Sequence, residues 1–146
     1  MGGKILIING PNLNMLGTRE PEVYGETTLA QIEEELKSYA EAKGIELSFF
    51  QSNHEGAIID KIHAALGQAD IIIINAGAFT HYSLAIHDAL AAVGIPTLEV
   101  HMSNIYKREE FRHKSLIAPV AIGGIFGLGK NSYKLALDAA LSYLNS

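Results

Sequence analysis

The feature that most constrains the fold is a set of short aliphatic runs without polar interruption. Residues 70–75 read DIIIIN and residues 4–8 read KILII. A strand with one face in water alternates apolar and polar residues, whereas continuous apolar runs are typical of strands covered on both faces. These two runs therefore predict central strands of a parallel sheet with helices on either side.

Three further segments, residues 45–51, 95–101 and 117–125, carry weaker strand signals, and a last helix is expected at residues 132–144. Apolar residues at helical spacing separate the strand candidates, so strands and helices alternate along the chain. Such alternation predicts right-handed crossovers and one parallel sheet. We expect a single α/β domain over residues 1–146, with a flavodoxin-like, doubly wound five-stranded sheet of order 2-1-3-4-5 and helices on both faces.

Capping residues mark the expected helix boundaries. Thr28 with Gln31, and Ser52 with Glu55, match the capping-box pattern, in which two side chains satisfy N–H groups at a helix start. Gly44 follows the first helical segment, where a left-handed residue commonly ends a helix. We therefore expect helices to begin just after Thr28 and Ser52, and the first of them to end at Gly44.

The composition excludes several classes of protein. With 48% hydrophobic and 18% charged residues, the chain resembles a folded globular domain rather than a disordered one. The formal net charge of −5 and the lack of a Lys/Arg run argue against a nucleic-acid surface. No apolar run approaches the ~20 residues of a membrane-spanning helix, so we expect no membrane interaction.

The chain contains no cysteine. Disulfides, thiolate metal sites and a cysteine nucleophile are therefore excluded, and the composition fits a reducing compartment. We expect a cytoplasmic protein. Because there is no HxH or HExxH pattern and few carboxylates follow the predicted strands, we expect no catalytic metal.

Polar side chains cluster where the predicted strands end. They are Asn9 and Asn12 after the first strand, Asn75 and His81 after the third, and His101 and Ser103 after the fourth. Carboxyl ends of parallel strands share one edge of the sheet, and ligands of doubly wound sheets bind there, near the point where the strand order reverses. The sequence therefore predicts one site at this edge.

The arginines show the same bias. The chain has only three, Arg19, Arg108 and Arg112, and all lie in the long loop after the first strand or in the loop after the fourth. Guanidinium groups offer a fixed fork of donors that suits carboxylate or phosphate, so a small anion is the expected ligand. Arg108 stands in the charged stretch 107–110, where a solvated charge cluster is the favoured interpretation.

The loop at residues 9–25, NGPNLNMLGTREPEVYG, is long and chemically mixed. Loops of this length within a compact domain are usually functional or disordered. Tyr24 is a candidate base, and Arg19 is near enough in sequence to fold back onto it. Lowering the pKa of a tyrosine from about 10 to about 7 needs about 4 kcal/mol, roughly what one guanidinium at ~4 Å supplies at an effective dielectric of ~20. We expect residues 17–25 to form a lid.

Each candidate also has a purely structural interpretation. His81 could cap a helix or lie at the surface, and His101, which ends an apolar strand next to Glu99, could be a core histidine with its hydrogen bonds satisfied. Asp88 follows His81 by two helical turns and could be an ordinary exposed residue of the same helix. Tyr133 is expected in the core.

A second class of function also fits the fold. A flavodoxin-like module could bind a nucleotide or a flavin at the same edge, although Tyr24, Phe79 and Tyr82 are the only aromatic candidates for stacking there. Residues 123–130 read GGIFGLGK, but Asn131 stands where a phosphate loop needs Ser or Thr. The phosphate-loop signal is therefore weak.

Four segments together carry a family resemblance: NGPNLNMLGTREPEVYG, NAGAFTHYS, EVHMSNIYKREEFRHKS and GLGKNSYKLAL. In this order, over nearly the whole chain, they resemble the type II 3-dehydroquinate dehydratases. The resemblance implies a catalytic domain that needs no cofactor, a lyase of the shikimate pathway of aromatic amino acid biosynthesis or of quinate catabolism. It would convert 3-dehydroquinate, a small anion, into 3-dehydroshikimate by anti elimination through an enolate.

The resemblance also implies catalytic roles. Tyr24 would abstract the proton next to the ketone, with Arg19 lowering its pKa and helping to close the lid. Asn12 would stabilise the enolate through a positioned water. His101 would protonate the departing hydroxyl, and Glu99 would orient it.

Substrate-binding roles and assembly follow in the same way. The implied substrate-binding residues are Asn75, His81 and Arg112 for hydroxyl groups, the backbone N–H groups of Met102 and Ser103 for the carboxylate, and Asp88 acting across a subunit contact. The family implies a homododecamer, a tetramer of trimers. Tyr82 and His87 stand where the family pattern has Thr and Arg, so the trimer contact around Asp88 is expected to differ.

Overall fold

The computed structural model describes residues 3–18, 22 and 25–146. The strands and α-helices are β1 (Lys4–Asn9), α1 (Leu29–Ala42), β2 (Glu46–Gln51), α2 (Glu55–Ala64), β3 (Ile71–Asn75), α3 (Leu84–Val93), β4 (Thr97–His101), β5 (Gly123–Phe126) and α4 (Asn131–Leu144). Short 3-10 helices occupy several connections, at Leu13–Met15, Gly77–His81, Ile105–Lys107, Glu110–Arg112 and Ala118–Val120.

The five strands form one parallel sheet in the order β2-β1-β3-β4-β5. This confirms the predicted flavodoxin-like, doubly wound architecture. The register between β1 and β3 pairs Ile5 with Ile71 and Asn9 with Asn75. Both strands therefore end at the same level, and the chain leaves them at the point where the strand order reverses.

The aliphatic runs are explained by two separate layers of core. Ile71 and Ile73 pack with α1 and α4 on one face of the sheet, whereas Ile72 and Ile74 pack with α2 and α3 on the other. All four side chains are 0% exposed. Burying one such side chain is worth about 1.5–3 kcal/mol, so successive positions of β3 all favour aliphatic residues.

One of the two predicted capping boxes is present. At the start of α1, Thr28 Oγ1 accepts the N–H of Gln31 and the Gln31 side chain accepts the N–H of Thr28, and Gly44 adopts the expected left-handed φ of 71°. The prediction for Ser52 and Glu55 is wrong. His54 caps α2 without a side-chain bond, and Ser52 instead accepts the N–H of His54 within the preceding turn.

The fifth strand exists, but the prediction that it begins at residue 117 is wrong. β5 begins at Gly123, and Pro119 lies in the 3-10 helix Ala118–Val120. Proline cannot donate a hydrogen bond to a sheet ladder but is tolerated in the first turn of a helix. The strand that remains is a short one at the edge of the sheet.

His81 and Asp88 do not share a helix, contrary to prediction. His81 belongs to the 3-10 helix Gly77–His81, and α3 begins only at Leu84, after Tyr82 has turned the chain with φ of −151°. The Ser83 hydroxyl caps α3 by accepting the N–H of Ile86. Two separate helical segments therefore carry the two residues.

The helices are short compared with a lipid bilayer. The longest of those described, α1 and α4, have 14 residues each, whereas a membrane crossing needs about 20. Within the described ranges, no helix is both long and apolar enough to cross a membrane.

A close backbone approach joins the loops after β1 and β3. The N–H of Gly10 donates to the carbonyl of Asn75 at 2.8 Å. A Cβ atom at Gly10 would stand 2.4 Å from the carbonyl oxygen of Ala76. Only glycine fits here without moving one of the two loops.

We therefore expect Gly10→Ala to lower the free energy of unfolding by about 1–3 kcal/mol, the usual cost of overpacking. Gly123→Ala is the matched control, because no atom lies within 4 Å of its added Cβ, and it should change stability by less than about 0.5 kcal/mol. Urea unfolding of both variants measures the difference. Equal stabilities would contradict a constraint at Gly10.

Candidate active site

A cleft of about 150 Å³ opens at the carboxyl edge of the sheet, between the loops that follow β1, β3 and β4. Of the predicted site residues, the cleft is lined by Asn12, Asn75, His81, His101, Met102, Ser103 and Arg112. The structure therefore brings together groups that the sequence places far apart, at the edge where doubly wound sheets bind ligands.

Where β4 ends at the cleft, it holds a buried pair of titratable groups, of which His101 lines the cleft. His101 Nε2 lies 2.6 Å from Glu99 Oε2, and the two residues are 6% and 7% exposed. Both point to the same face of β4 because they are two residues apart. A carboxylate this deeply buried needs compensating partners, and His101 provides one while its own ring orientation is fixed by the contact.

His81 stands beside this pair with a defined tautomer. Its Nδ1 is 2.8 Å from the carbonyl of Lys114, and a carbonyl can only accept, so Nδ1 carries the proton. The rings of His81 and His101 are stacked with centroids 6.3 Å apart. Burial lowers the pKa of His81, and the charges of His101 and Arg112 lower it further, while the Lys114 carbonyl and Glu99 act in the opposite direction. A neutral ring leaves Nε2 as an acceptor.

Asn12 has an unusual backbone conformation. It is the one described non-glycine residue with positive φ, at 71°, a conformation that asparagine tolerates better than most residues. The side chain of Asn53 holds it by accepting the Asn12 N–H at 2.9 Å. A left-handed residue fixed in this way turns the chain into the 3-10 helix Leu13–Met15 and leaves Asn12 at the cleft wall.

A buried relay of hydrogen bonds fixes Asn75. Its Nδ2 donates to the Tyr133 hydroxyl at 3.0 Å, and that hydroxyl donates to Asn9 Oδ1 at 2.5 Å. Asn75 Oδ1 accepts the N–H of Gly77 at 3.2 Å. Burial raises the pKa of Tyr133 well above its ordinary value, so this hydroxyl stays protonated. Asn9 faces the relay rather than the cleft.

Two guanidinium groups line the cleft from the loop after β4. Arg112 Nε donates to Glu109 Oε1 at 2.9 Å, and Arg108 Nε lies 3.9 Å from the same oxygen. The side chains of Arg108 and Arg112 are only 17% and 21% exposed. The solvated interpretation of Arg108 is therefore wrong, because its side chain is largely buried and lines the cleft.

The remaining predicted site residues fall into three groups: one is away from the cleft, two line it, and two are outside the described residues. Asp88 is not in the cleft of its own chain: its side chain is 68% exposed and contacts His87 Nδ1 at 3.0 Å. Met102 and Ser103 follow β4 directly and line the cleft. Arg19 and Tyr24 lie outside the residues that the structure describes.

Sequence reasoning missed two contributors to the site. Tyr133 is in the core as expected, but its contact with Asn75 spans 58 residues and no local pattern indicates it. Ser115 donates to Glu99 Oε2 at 2.8 Å across 16 residues. It is the last residue of the EVHMSNIYKREEFRHKS segment. Nothing in that sequence indicates its contact with Glu99, which only the fold brings about.

The described parts of the chain contain no group of three or more His, Asp or Glu side chains that could hold a metal ion. The polar groups of the cleft are amides, guanidinium groups, a serine and two histidines, one of which is paired with a buried carboxylate. Such groups can bind the hydroxyls and the charge of a small polar anion and can transfer protons.

The His81 geometry makes a titration prediction. Its imidazole should be neutral at pH 7, protonated on Nδ1, and should titrate below pH 6.5, the unperturbed value, because burial disfavours its charged form. Nitrogen-detected NMR measures this, with His81→Asn for assignment. Since the unfolded chain binds this proton first, acidification below about pH 6.5 should also lower the free energy of unfolding. A cationic His81 ring at pH 7 would contradict the assigned tautomer.

Comparison with known proteins gives one consistent result. The family model for dehydroquinase class II matches residues 3–141. A 3-dehydroquinate dehydratase of Dinoroseobacter shibae is 56% identical over 142 residues, covering 97% of this chain and 95% of that protein. A catabolic 3-dehydroquinase 1 of Neosartorya fischeri is 59% identical, covering 94% and 92%.

Solved structures agree with the sequence relatives. The type II dehydroquinase of Butyrivibrio crossotus superposes with a TM-score of 0.93 at 51% identity, covering 99% of both chains. These matches do not favour a nucleotide- or flavin-binding module. The chain belongs to the class II dehydroquinase family.

Proposed function

We propose that this chain catalyses the dehydration of 3-dehydroquinate to 3-dehydroshikimate, in the shikimate pathway or in quinate catabolism. The observation that carries the proposal is the buried Glu99–His101 pair, which opens onto a cleft lined by Arg108 and Arg112. An acid held in one orientation beside groups that bind anions is what the elimination of water from an anionic hydroxy ketone requires. Relatives named 3-dehydroquinate dehydratase and catabolic 3-dehydroquinase 1 support the reaction, and the second name supports the catabolic setting.

Proton transfer is assigned to two groups on opposite sides of the substrate. The Tyr24 phenolate takes the proton from the carbon next to the ketone, giving an enolate. The enolate collapses to the conjugated enone as the carbon–oxygen bond breaks, and His101 gives its proton to the departing hydroxyl, which leaves as water. Arg19 stabilises the phenolate, and residues 17–25 close over the substrate as a lid.

The geometry of the described residues supports the role of His101. Because Glu99 engages Nε2, Nδ1 is the ring nitrogen assigned to the departing hydroxyl. Asn12, fixed by Asn53, holds the water that stabilises the enolate oxygen. No step uses a metal or another cofactor.

Substrate binding is assigned to the remaining groups of the cleft. Asn75, His81 and Arg112 bind hydroxyl groups, and the backbone N–H groups of Met102 and Ser103 bind the carboxylate. His81 accepts through Nε2, as its tautomer requires.

Assembly and location complete the proposal. Asp88 is exposed on α3, which suits a residue that reaches the site of a neighbouring subunit. We assign a homododecamer, a tetramer of trimers, in the cytoplasm. Gel filtration with light scattering tests the assembly, and Asp88→Asn should weaken substrate binding without changing the described cleft of its own chain.

The experiment that tests the reaction uses purified protein and 3-dehydroquinate. Ultraviolet absorbance of the conjugated enone should grow with time, and preincubation with a chelator should leave the rate unchanged. No growth of absorbance with folded protein would overturn the assignment. Loss of the activity with chelator would show that the reaction needs a metal.

Tyr24→Phe should lower kcat by roughly 10²–10⁴-fold, the usual contribution of a general base, with the fold intact. Tyr143→Phe is the matched control. It removes a hydroxyl from a half-exposed residue near the end of α4, far in sequence from the lid. Circular dichroism checks the fold of both variants. A fully active Tyr24→Phe variant would exclude Tyr24 as the base.

A further inference from the structure

The buried Glu99–His101 pair has a third member, the hydroxyl of Ser115. Ser115 Oγ lies 2.8 Å from Glu99 Oε2. The same carboxylate oxygen is 2.6 Å from His101 Nε2. Ser115 belongs to the loop before the 3-10 helix Ala118–Val120 and approaches Glu99 from another part of the chain.

The direction of the Ser115–Glu99 hydrogen bond is fixed by the surrounding backbone. Ser115 Oγ accepts the N–H of Ile117 at 3.1 Å and the N–H of Ala118 at 3.0 Å. Amide N–H groups can only donate, and a hydroxyl has two acceptor lone pairs and one proton. The two amides therefore occupy the lone pairs, and the Ser115 proton is left to donate to Glu99.

Two donors on one oxygen restrict the carboxylate more than one donor would. The terminal torsion of a glutamate is broad and roughly two-fold, so a single contact with His101 leaves the carboxyl plane free to turn. Ser115 supplies the second contact, and both are charge-assisted bonds when Glu99 is ionised. The oxygen that orients the His101 ring is thus itself held by Ser115.

We propose that Ser115 is a positioning residue for the dehydration, which holds Glu99 Oε2 so that His101 presents its proton to the departing hydroxyl. The inference rests on the proposed function and deepens it. Ser115 does not line the cleft and touches the reaction only through Glu99 and His101.

A purely local role for Ser115 would also use its hydroxyl, since the bonds to Ile117 and Ala118 shape the loop. The two roles differ in whether the effect of removing the Ser115 hydroxyl depends on the Glu99 carboxylate. A loop role is independent of the Glu99 carboxylate, whereas a positioning role disappears once that carboxylate is removed. A double-mutant cycle between Ser115→Ala and Glu99→Ala, which leaves no acceptor for the Ser115 hydroxyl, distinguishes them.

Ser115→Ala should lower kcat on 3-dehydroquinate by roughly 10- to 100-fold, the effect of losing a hydrogen bond to a charged group, with KM within about twofold. In the Glu99→Ala background, the same substitution should lower kcat by less than about threefold. Ser115→Thr, which keeps the hydroxyl, should return kcat to within about threefold of the unchanged chain. Steady-state kinetics of the five proteins gives all three comparisons.

Three results would overturn the inference: an equal loss of kcat in both backgrounds, a rise in KM with kcat unchanged, or a folded Ser115→Thr variant as slow as Ser115→Ala. If Ser115→Ala fails to fold, Ser115→Cys takes its place in the cycle, because a thiol has similar size and is a weak donor. Turnover by the unchanged chain tests the proposed function separately, so failure of one hypothesis is distinguishable from failure of the other.

Discussion

The structure depends on the pairing of β1 with β3. Both strands are covered on two faces, so their isoleucines hold the two core layers together, and their register brings Asn9 and Asn75 to the same level. The chain leaves these strands on opposite sides of the sheet, which opens a space between the loops. The cleft is therefore a consequence of strand order, and the contact of Gly10 with Ala76 sets how closely its walls approach.

The polar groups at this edge are held by partners rather than by packing alone. Asn75 is fixed through Tyr133, His101 through Glu99, and Glu99 in turn through Ser115. Burying such groups unpaired would cost several kcal/mol each, so each partner stabilises the fold while it orients a side chain of the cleft. Stability and site geometry share the same contacts.

Patterns with a local cause were predictable from sequence. The aliphatic runs predicted the central strands, and Thr28 predicted the start of α1. The polar residues that follow the strands predicted the position of the cleft. Long-range contacts left no such pattern, and the contacts of Tyr133 with Asn75 and of Ser115 with Glu99 were missed for that reason. Arg108 was misjudged because neighbouring charges in sequence suggest solvent, although its side chain packs along the cleft in three dimensions. The capping box predicted at Ser52 and Glu55 is absent because the Ser52 hydroxyl accepts the N–H of His54 within the preceding turn instead.

The Lys114 carbonyl has a consequence for which ligand groups the cleft can accept. Because it accepts a hydrogen bond from the Nδ1–H of His81, the Nε2 atom of the neutral ring keeps a free lone pair. A ligand hydroxyl can donate to that lone pair, but a ketone or carboxylate oxygen at the same place would face it with lone pairs of its own. The Lys114 backbone carbonyl thereby makes the position next to Nε2 selective for a hydroxyl group over a ketone or carboxylate oxygen. The same preference orients a hydroxy ketone, because its hydroxyl and not its ketone can lie at this position.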